Sequence, residues 1–380
     1  MSNQAEIKKI NLFSALLFGL FTISIHFTEL KSDTGFLGVF EVCLFLIAIF
    51  IIIDNLIIQN NYSSILFYLP ALYLAFITLP ITLLNLSLNF FGSSLKTTIA
   101  LIFSSLIAIS FSFLKKEEMY FFGVGMSIML LFAVIGVIVS GDIFTQIARY
   151  AFLADNPNQL ATYSIASSFL ISVLLPKGRF RVFMIIVSLL YGSITLSDSL
   201  YLSIAITATL FIFFKLYQNP TLSIFISFLL VLFLVLILIN AQDLKVFEYM
   251  RDLWYSADEG GARFALAWNG IKAYLSSPFL GHGGGAFSGA FIPFSRFESH
   301  NTFIDLLTIA GPFIAVLFYA PLFFTAYFLF KQERFISAAL LAGVIAYSLF
   351  HFIGRHPIMW IIWALSIKMS LEYRKKCVEY

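Results

Sequence analysis

The chain has 380 residues, of which 60% are hydrophobic and only 11% are charged, whereas soluble domains are about 45 to 50% hydrophobic and about 25% charged. Its 46 phenylalanines and mean hydropathy of +0.95 exceed what a soluble globule of this size can bury, so the chain is predicted to lie in a membrane. A formal net charge of +3 is too small to indicate binding to DNA or RNA, and nucleic-acid partners are excluded.

Apolar stretches long enough to cross a bilayer, about 20 residues each, recur along the chain. Twelve such stretches predict an all-α polytopic membrane protein with about twelve transmembrane helices. The predicted region 1–240 holds nine spans, 241–300 is a loop, and 301–380 holds the last three spans and a tail. The predicted spans are 11–28, 36–58, 63–84, 95–114, 119–140, 159–175, 182–197, 199–214, 221–240, 302–330, 335–352 and 356–371.

Lys and Arg are distributed unequally between the predicted loops. Thirteen fall on the side of both termini, and only four, Lys31, Lys96, Arg149 and Arg355, fall in the short loops opposite. Because basic loops tend to stay in the cytoplasm, both termini are expected there. The 241–300 loop is then expected on the outer face of the membrane.

This loop differs from the other connections in length and charge. It holds 11 of the 43 charged residues, and a long loop in an otherwise economical chain often carries function. Apolar residues at helical spacing predict two short amphipathic helices within it, lying at the membrane interface. These residues are Leu244, Phe247, Met250 and Trp254 in the first stretch, and Phe264, Trp268, Ile271 and Leu275 in the second.

The most distinctive motifs lie in and just after this loop. In chain order, the relevant features are Asn156-Pro157-Asn158, Arg263, Trp268, the run 277–287 (SPFLGHGGGAF), the pair His300-Asn301 and Gly311. Together they resemble the bacterial O-antigen ligase and O-antigen polymerase superfamily. The resemblance is specific over roughly 260–315, and the earlier spans match only in number and placement.

The resemblance implies a GT-C-like fold in the bacterial inner membrane, with short helices in a large periplasmic loop. It implies a metal-independent glycosyltransferase without cofactors, whose donor is a glycan on undecaprenyl pyrophosphate and whose acceptor is a sugar hydroxyl. A polymerase, which we favour because the chain is short and Phe-rich, extends another lipid-linked repeat unit. A ligase uses the lipid A core. Further implied partners are membrane lipids and a chain-length regulator protein.

Such a reaction needs a base and cations. His300, with an ordinary pKa near 6.5, is predicted to accept the hydroxyl proton, and Arg263 to stabilise the charge on the leaving pyrophosphate. No metal-ligand set is predicted. The further residues predicted to bind pyrophosphate or glycan are Arg149, Arg296, Arg355, Asn301, Gly283, Trp268 and Asn158.

The chain also departs from the family pattern. Many members carry a Ser-Arg pair near the end of a middle span, where this chain has the run 195–199 (TLSDS) and no guanidinium. Either Arg149, Arg296 or Arg355 takes the place of that arginine, or the motif corresponds to another part of the chain.

Each motif also has a simpler explanation. His300 could help to close the start of the tenth span, with Ser299 or Thr302 as the cap and Asp305 completing a capping box. Arg263 could bind lipid headgroups. The glycines could serve only to permit a turn, and residues 156–158 could serve only to start a helix.

The alternative of another functional class is a transporter or flippase of lipid-linked oligosaccharide. The functional polar groups of such a protein are expected near the membrane midplane, in two related halves.

Overall fold

The structure, a computed structural model, describes residues 2–25, 38–59, 63–90, 92–140, 156–218, 221, 259–288 and 297–378. Within these ranges the chain is 82% helical and has no β-strand, which confirms the all-α prediction. The helices are α1 Ser2–Ser24, α2 Val39–Ile53 with a π turn Asp54–Ile58, α3 Leu69–Ser87, α4 Leu95–Phe113, α5 Lys116–Ser140, α6 Pro157–Leu174, α7 Arg179–Ser193, α8 Asp198–Tyr217, α9 Glu259–Ser276, α10 Thr302–Lys331, α11 Phe335–Ser348 and α12 Pro357–Val378.

Six of the described helices, α2 to α5, α8 and α10, are long and apolar enough to cross a membrane, so the chain is an all-α membrane protein. Five further predicted spans coincide with described helices that are not among these six, and two of them are short, α7 with 15 residues and α11 with 14. The predicted span 221–240 lies almost entirely outside the described residues. The total of twelve transmembrane helices therefore stays a prediction.

Helix α6 explains why a predicted span can lack strong apolarity. Thirteen of its 18 residues are buried, so protein surrounds it and its serines find partners on neighbouring helices. Ser164 and Ser167 hydrogen-bond to Ser188 of α7, and Ser172 donates to Ser337 of α11 at 3.0 Å. Small polar residues of this kind allow close helix packing inside a membrane bundle.

The chain turns gather at two opposite ends of the helices. One end brings together the starts of α4, α6 and α10 with the segment between α11 and α12, and we call it the His300 end. The other brings together the start of α7, the end of α8 and the turn between α10 and α11, and we call it the Arg334 end. The orientation of these ends relative to the cytoplasm stays a prediction.

Helix α10 is broken in its middle. Gly311 has a φ of 76° and is followed by Pro312, which has no amide hydrogen, so the preceding carbonyls lose helical partners. The segment after α9 supplies donors instead, with the amides of His282 and Gly283 bonded to the carbonyls of Thr308 and Ile309 at 2.7 and 2.9 Å. The Tyr73 hydroxyl donates to the third carbonyl, that of Ala310, at 3.0 Å. Neighbouring groups thus repair the break, as a membrane interior requires.

The glycines of the 277–287 run allow this close backbone contact. Gly281 has a φ of 71°, and a side chain there would lie 2.6 Å from the carbonyl of Ile309. A side chain at Gly311 would meet the carbonyl of Phe279. Both positions therefore require glycine for conformation and for space.

The predicted second amphipathic helix is present as α9. Its inner side packs Leu266 and Gly270 toward α10, where a side chain at Gly270 would touch Ile304. The predicted apolar stripe is exposed, with Trp268 at 53% and Leu275 at 64%. An exposed apolar stripe on an amphipathic helix is typical of a membrane interface. The first predicted amphipathic stretch, 244–254, lies outside the described residues.

Candidate functional site

A cavity of about 1030 Å³ opens at the His300 end. This volume is at the upper limit of pockets that hold drug-sized molecules, so it can hold several sugar units. About half of the wall is polar, unlike the lipid-facing surface of the bundle. The charged and hydrogen-bonding side chains of the wall include Glu41, Lys96, Asn158, Glu298, His300, His351, Arg355 and His356.

The turn before α10 positions His300. The residue has a φ of 54°, a left-handed conformation that is uncommon outside glycine. Asn301 is the helix cap, because its side-chain oxygen accepts the amides of Phe303 and Ile304. The carboxylate of Asp305 accepts the amides of Ser299 and Asn301. The prediction of Ser299 or Thr302 as the cap is therefore wrong, although Asp305 does close the turn as expected.

The surroundings of His300 favour its neutral form. Burial lowers the pKa of the imidazole below its ordinary value, and the positive charges of Arg263 and Arg355 lower it further. Within the described part of the chain, no hydrogen bond to its ring nitrogens is found. A neutral imidazole in a cavity wall can accept a proton from a bound hydroxyl.

Arg355 and Glu298 form an ion pair within the cavity wall. The guanidinium lies 2.6 Å from a carboxylate oxygen of Glu298. Burial raises the pKa of the Glu298 carboxyl, and Arg355 acts in the opposite direction. Arg355 therefore needs to exchange or share this partner if it is to bind a phosphate.

Arg263 lies one layer behind the cavity and is not part of its described wall. Its guanidinium donates to the Ser199 hydroxyl at 3.3 Å, and that hydroxyl lies 3.1 Å from a ring nitrogen of His351. The rings of His351 and His300 are 6.3 Å apart. Arg263 is thus close enough to act on His300 through its charge, and it reaches the wall through Ser199.

Asn158 connects three elements at the cavity wall. Its side-chain oxygen accepts the Ser197 hydroxyl at 3.1 Å, and its carbonyl accepts the Tyr347 hydroxyl at 2.8 Å. Asn156 caps α6 by accepting the amide of Asn158, with Pro157 at the first helical position, which confirms the expected helix start. Asn158 therefore combines a structural role with a position in the wall.

Three predicted binding residues have other surroundings. The side chain of Asn301 caps α10 and donates to the carbonyl of Leu349 at 2.9 Å. Gly283 packs against the backbone of Thr82, and its amide already bonds to Ile309, so that amide is not available for a phosphate. Trp268 lies on the exposed stripe of α9 and not in the cavity wall. The structure offers no support for substrate binding by these three.

Two predicted residues, Arg149 and Arg296, lie outside the described residues. Among the residues that the structure does describe, no group of three or more His, Cys, Asp or Glu side chains could hold a metal ion.

The structure also brings in residues that the sequence interpretation missed. His351 and His356 lie in the wall, and the Tyr347 ring contacts that of His351 in a tilted arrangement with centroids 4.9 Å apart. Ser199 joins His351 to Arg263. One signal was available, because the run 349–356 (LFHFIGRH) places two His and one Arg in eight residues of a chain that is otherwise poor in charge.

Comparisons with known proteins do not identify a family. No protein-family model matches the chain, and no curated protein is significantly similar to it. The likeness to the O-antigen ligase and polymerase superfamily therefore stays an expectation from sequence motifs.

Proposed function

We propose that the chain is a glycosyltransferase of the bacterial inner membrane that uses a glycan linked to undecaprenyl pyrophosphate as its donor. One observation carries the proposal. A histidine whose pKa is lowered by burial and by two nearby arginines, His300, lies in the wall of a large cavity, with Arg355 in the same wall and Arg263 just behind it.

The proposed reaction is a single displacement at the anomeric carbon. The acceptor oxygen forms a bond to that carbon, the bond from the carbon to the pyrophosphate oxygen breaks, and its electron pair leaves with the pyrophosphate. The hydroxyl proton passes to a ring nitrogen of His300. The charges of Arg263 and Arg355 stabilise the leaving group, and the cavity orients the two glycans.

Within this class we propose a polymerase, which elongates another lipid-linked repeat unit. The alternative is a ligase, which transfers the glycan to the lipid A core. The acceptor distinguishes them. Purified protein mixed with lipid-linked repeat units alone should produce longer chains, which mass spectrometry can measure, whereas a ligase should give product only when the lipid A core is added.

The transporter alternative has one structural feature in its favour. Helix α10 is broken near its middle, and broken helices commonly form ion and substrate sites in transporters. Here the freed carbonyls of Thr308, Ile309 and Ala310 accept hydrogen bonds from protein donors, so they do not offer an open coordination site. The polar side chains of the cavity also collect at one end of the bundle, which favours chemistry at the surface.

The direct test is replacement of the proposed base. His300→Ala should lower the rate of chain elongation about 100-fold, with thermal stability close to that of the wild type. Lys272→Ala is the matched control, because Lys272 is exposed on α9 and outside the cavity wall. Unchanged elongation in His300→Ala would remove His300 from the mechanism.

A further inference from the structure

A second, smaller cavity lies at the Arg334 end and has a different chemistry. Its volume is about 120 Å³, and three parts of the chain form it: the start of α7, the end of α8 and the turn between α10 and α11. Four cations line it, together with one carboxylate, that of Glu333. The cations are Lys177, Arg181, Lys215 and Arg334.

These cations have few anionic partners. Within the described part of the chain, none of the four forms an ion pair with a carboxylate, Glu333 included. Arg181 donates to the carbonyl of Ser172 at 3.2 Å, and the Lys215 ammonium lies 5.9 Å from the ring centroid of Phe335. Burial and the charge of Arg181 lower the pKa of Arg334. Like charges that line one small cavity repel one another, and a bound anion would relieve the repulsion.

The start of α11 adds to this positive potential. Arg334 is the N-cap residue of α11, and its side chain makes no capping bond. The first-turn amides of the helix therefore have no side-chain cap, and they carry a partial positive charge.

The lower part of the cavity is apolar and next to lipid-facing surface. Phe211, Phe335 and Ile336 belong to its wall. On the adjoining helices α7 and α8, Phe183 and Phe213 are more than half exposed, as expected for side chains that contact acyl chains. Cations above apolar side chains at a helix end match the polarity of a phospholipid, whose phosphate lies just above its acyl chains.

We propose that this cavity binds the phosphate of an anionic phospholipid headgroup. The guanidinium groups of Arg181 and Arg334 can fork onto the phosphate oxygens, the lysines Lys177 and Lys215 complete the positive wall, and the glycerol and acyl chains continue along Phe211 and Ile336. The site is separate from the His300 cavity, so it does not depend on the proposed glycosyltransferase activity.

Native mass spectrometry of the full chain tests this proposal. The protein is taken from bilayers that contain equal amounts of phosphatidylglycerol and phosphatidylcholine, and the ratio of the two lipids that remain bound is measured. The wild type should retain mainly phosphatidylglycerol. Arg334→Gln should lower the ratio about fivefold, whereas Arg334→Lys should keep most of it.

Lys331→Gln is the matched control. Lys331 ends α10, lies 5.6 Å from the Tyr327 ring centroid and is outside the cavity wall, so this variant should retain the wild-type ratio. If Arg334→Gln does not fold, Lys215→Gln replaces it, because Lys215 is an exposed residue of the same wall. Lys215→Gln should lower the ratio of phosphatidylglycerol to phosphatidylcholine in the same way.

Three results would overturn the proposal. The first is equal retention of both lipids by the wild type, and the second is an equal loss in Lys331→Gln and in the wall variants, which would indicate general surface charge. The third is displacement of phosphatidylglycerol by inorganic phosphate alone, which would assign the cavity to free phosphate.

Discussion

The two ends of the bundle differ in whether their positively charged side chains have partners within the protein. At the His300 end, Arg355 is paired with Glu298, and Arg263 is bonded to Ser199. At the Arg334 end, four cations line a small cavity without ion pairs among the described residues. The first arrangement fixes side chains around a large space. The second leaves positive charge available at the membrane boundary.

This difference shows that a positive end is not by itself a candidate catalytic site. The Arg334 end has more cations, but its cavity of about 120 Å³ is too small for a glycan. The His300 end has fewer cations, a cavity of about 1030 Å³ and, in its wall, a histidine whose pKa is lowered by burial and by Arg263 and Arg355. Cavity volume and the presence of a histidine in the wall therefore separate the two ends better than the number of cations does.

The largest expected effect compares one glycine at each end. Gly281→Ala places a side chain 2.6 Å from the carbonyl of Ile309 at a φ of 71°, and should lower the free energy of unfolding by about 3 kcal/mol. Gly178→Ala, at the Arg334 end, meets no atom within 4 Å and should change it by less than about 0.5 kcal/mol. Thermal unfolding in detergent measures both. Equal effects would contradict the close backbone packing described for the 277–287 run.

The next effect concerns activity. Arg263→Gln removes a positive charge close to His300 and should lower the rate of glycan transfer about tenfold. Lys272→Gln removes a charge from the exposed face of the same helix and should leave the rate unchanged. Initial rates with lipid-linked repeat units measure this pair. A similar loss in both variants would mean that the net charge of α9 matters and not the position of Arg263.

A smaller effect compares cation removal at the two ends. Arg355→Gln leaves the carboxylate of Glu298 without its partner and should lower the free energy of unfolding by about 1 kcal/mol. Lys215→Gln relieves repulsion among cations and should change the stability by less than about 0.5 kcal/mol in detergent without anionic lipid. Destabilisation of the same size in both variants would show that the cations at the two ends are equally tied to the fold.

The smallest expected effect is a shift in pH dependence. Burial and the charges of Arg263 and Arg355 lower the pKa of His300 from its ordinary value of 6.5. The acid limb of the pH–activity profile should therefore lie below pH 6.5. Arg263→Gln should move that limb to higher pH. Because the pKa of His300 is lower in the folded state, protonation of His300 opposes folding. The free energy of unfolding should therefore fall as the pH drops below 6.5. His300→Gln should reduce this fall. An unchanged acid limb would show that another group titrates.

The helices were the more predictable part of the molecule. Apolar runs placed α4 and α10 within one or two residues, because a long apolar stretch has few other structures available in a membrane. The third span was predicted at 63–84 and is found at Leu69–Ser87. The helix begins later than predicted because a short 3₁₀ turn, Ile65–Phe67, precedes it. Pro70 lies in the first turn of the helix, where proline is favoured.

The candidate site was only partly predictable. Local motifs predicted a closed turn before α10 with Asp305 in it, since such a turn depends on neighbours in sequence, although the cap is Asn301. The neighbours of Arg263 depend on how α8, α9 and the end of α11 pack together, and no local pattern encodes the bond from Arg263 to Ser199 or the contact with His351. For the same reason, the role of the glycine run became clear only from its partner, the break in α10.

The repaired break at Gly311 has a consequence for substrate entry. Three separate donors, on Tyr73, His282 and Gly283, hold the carbonyls at the lower end of the first half of α10, and His300 immediately precedes its upper end. Sliding or rotating this half-helix would break all three bonds together. The turn that carries the imidazole is therefore anchored from below. If the proposed reaction is right, an incoming sugar chain would have to align itself with a stationary base.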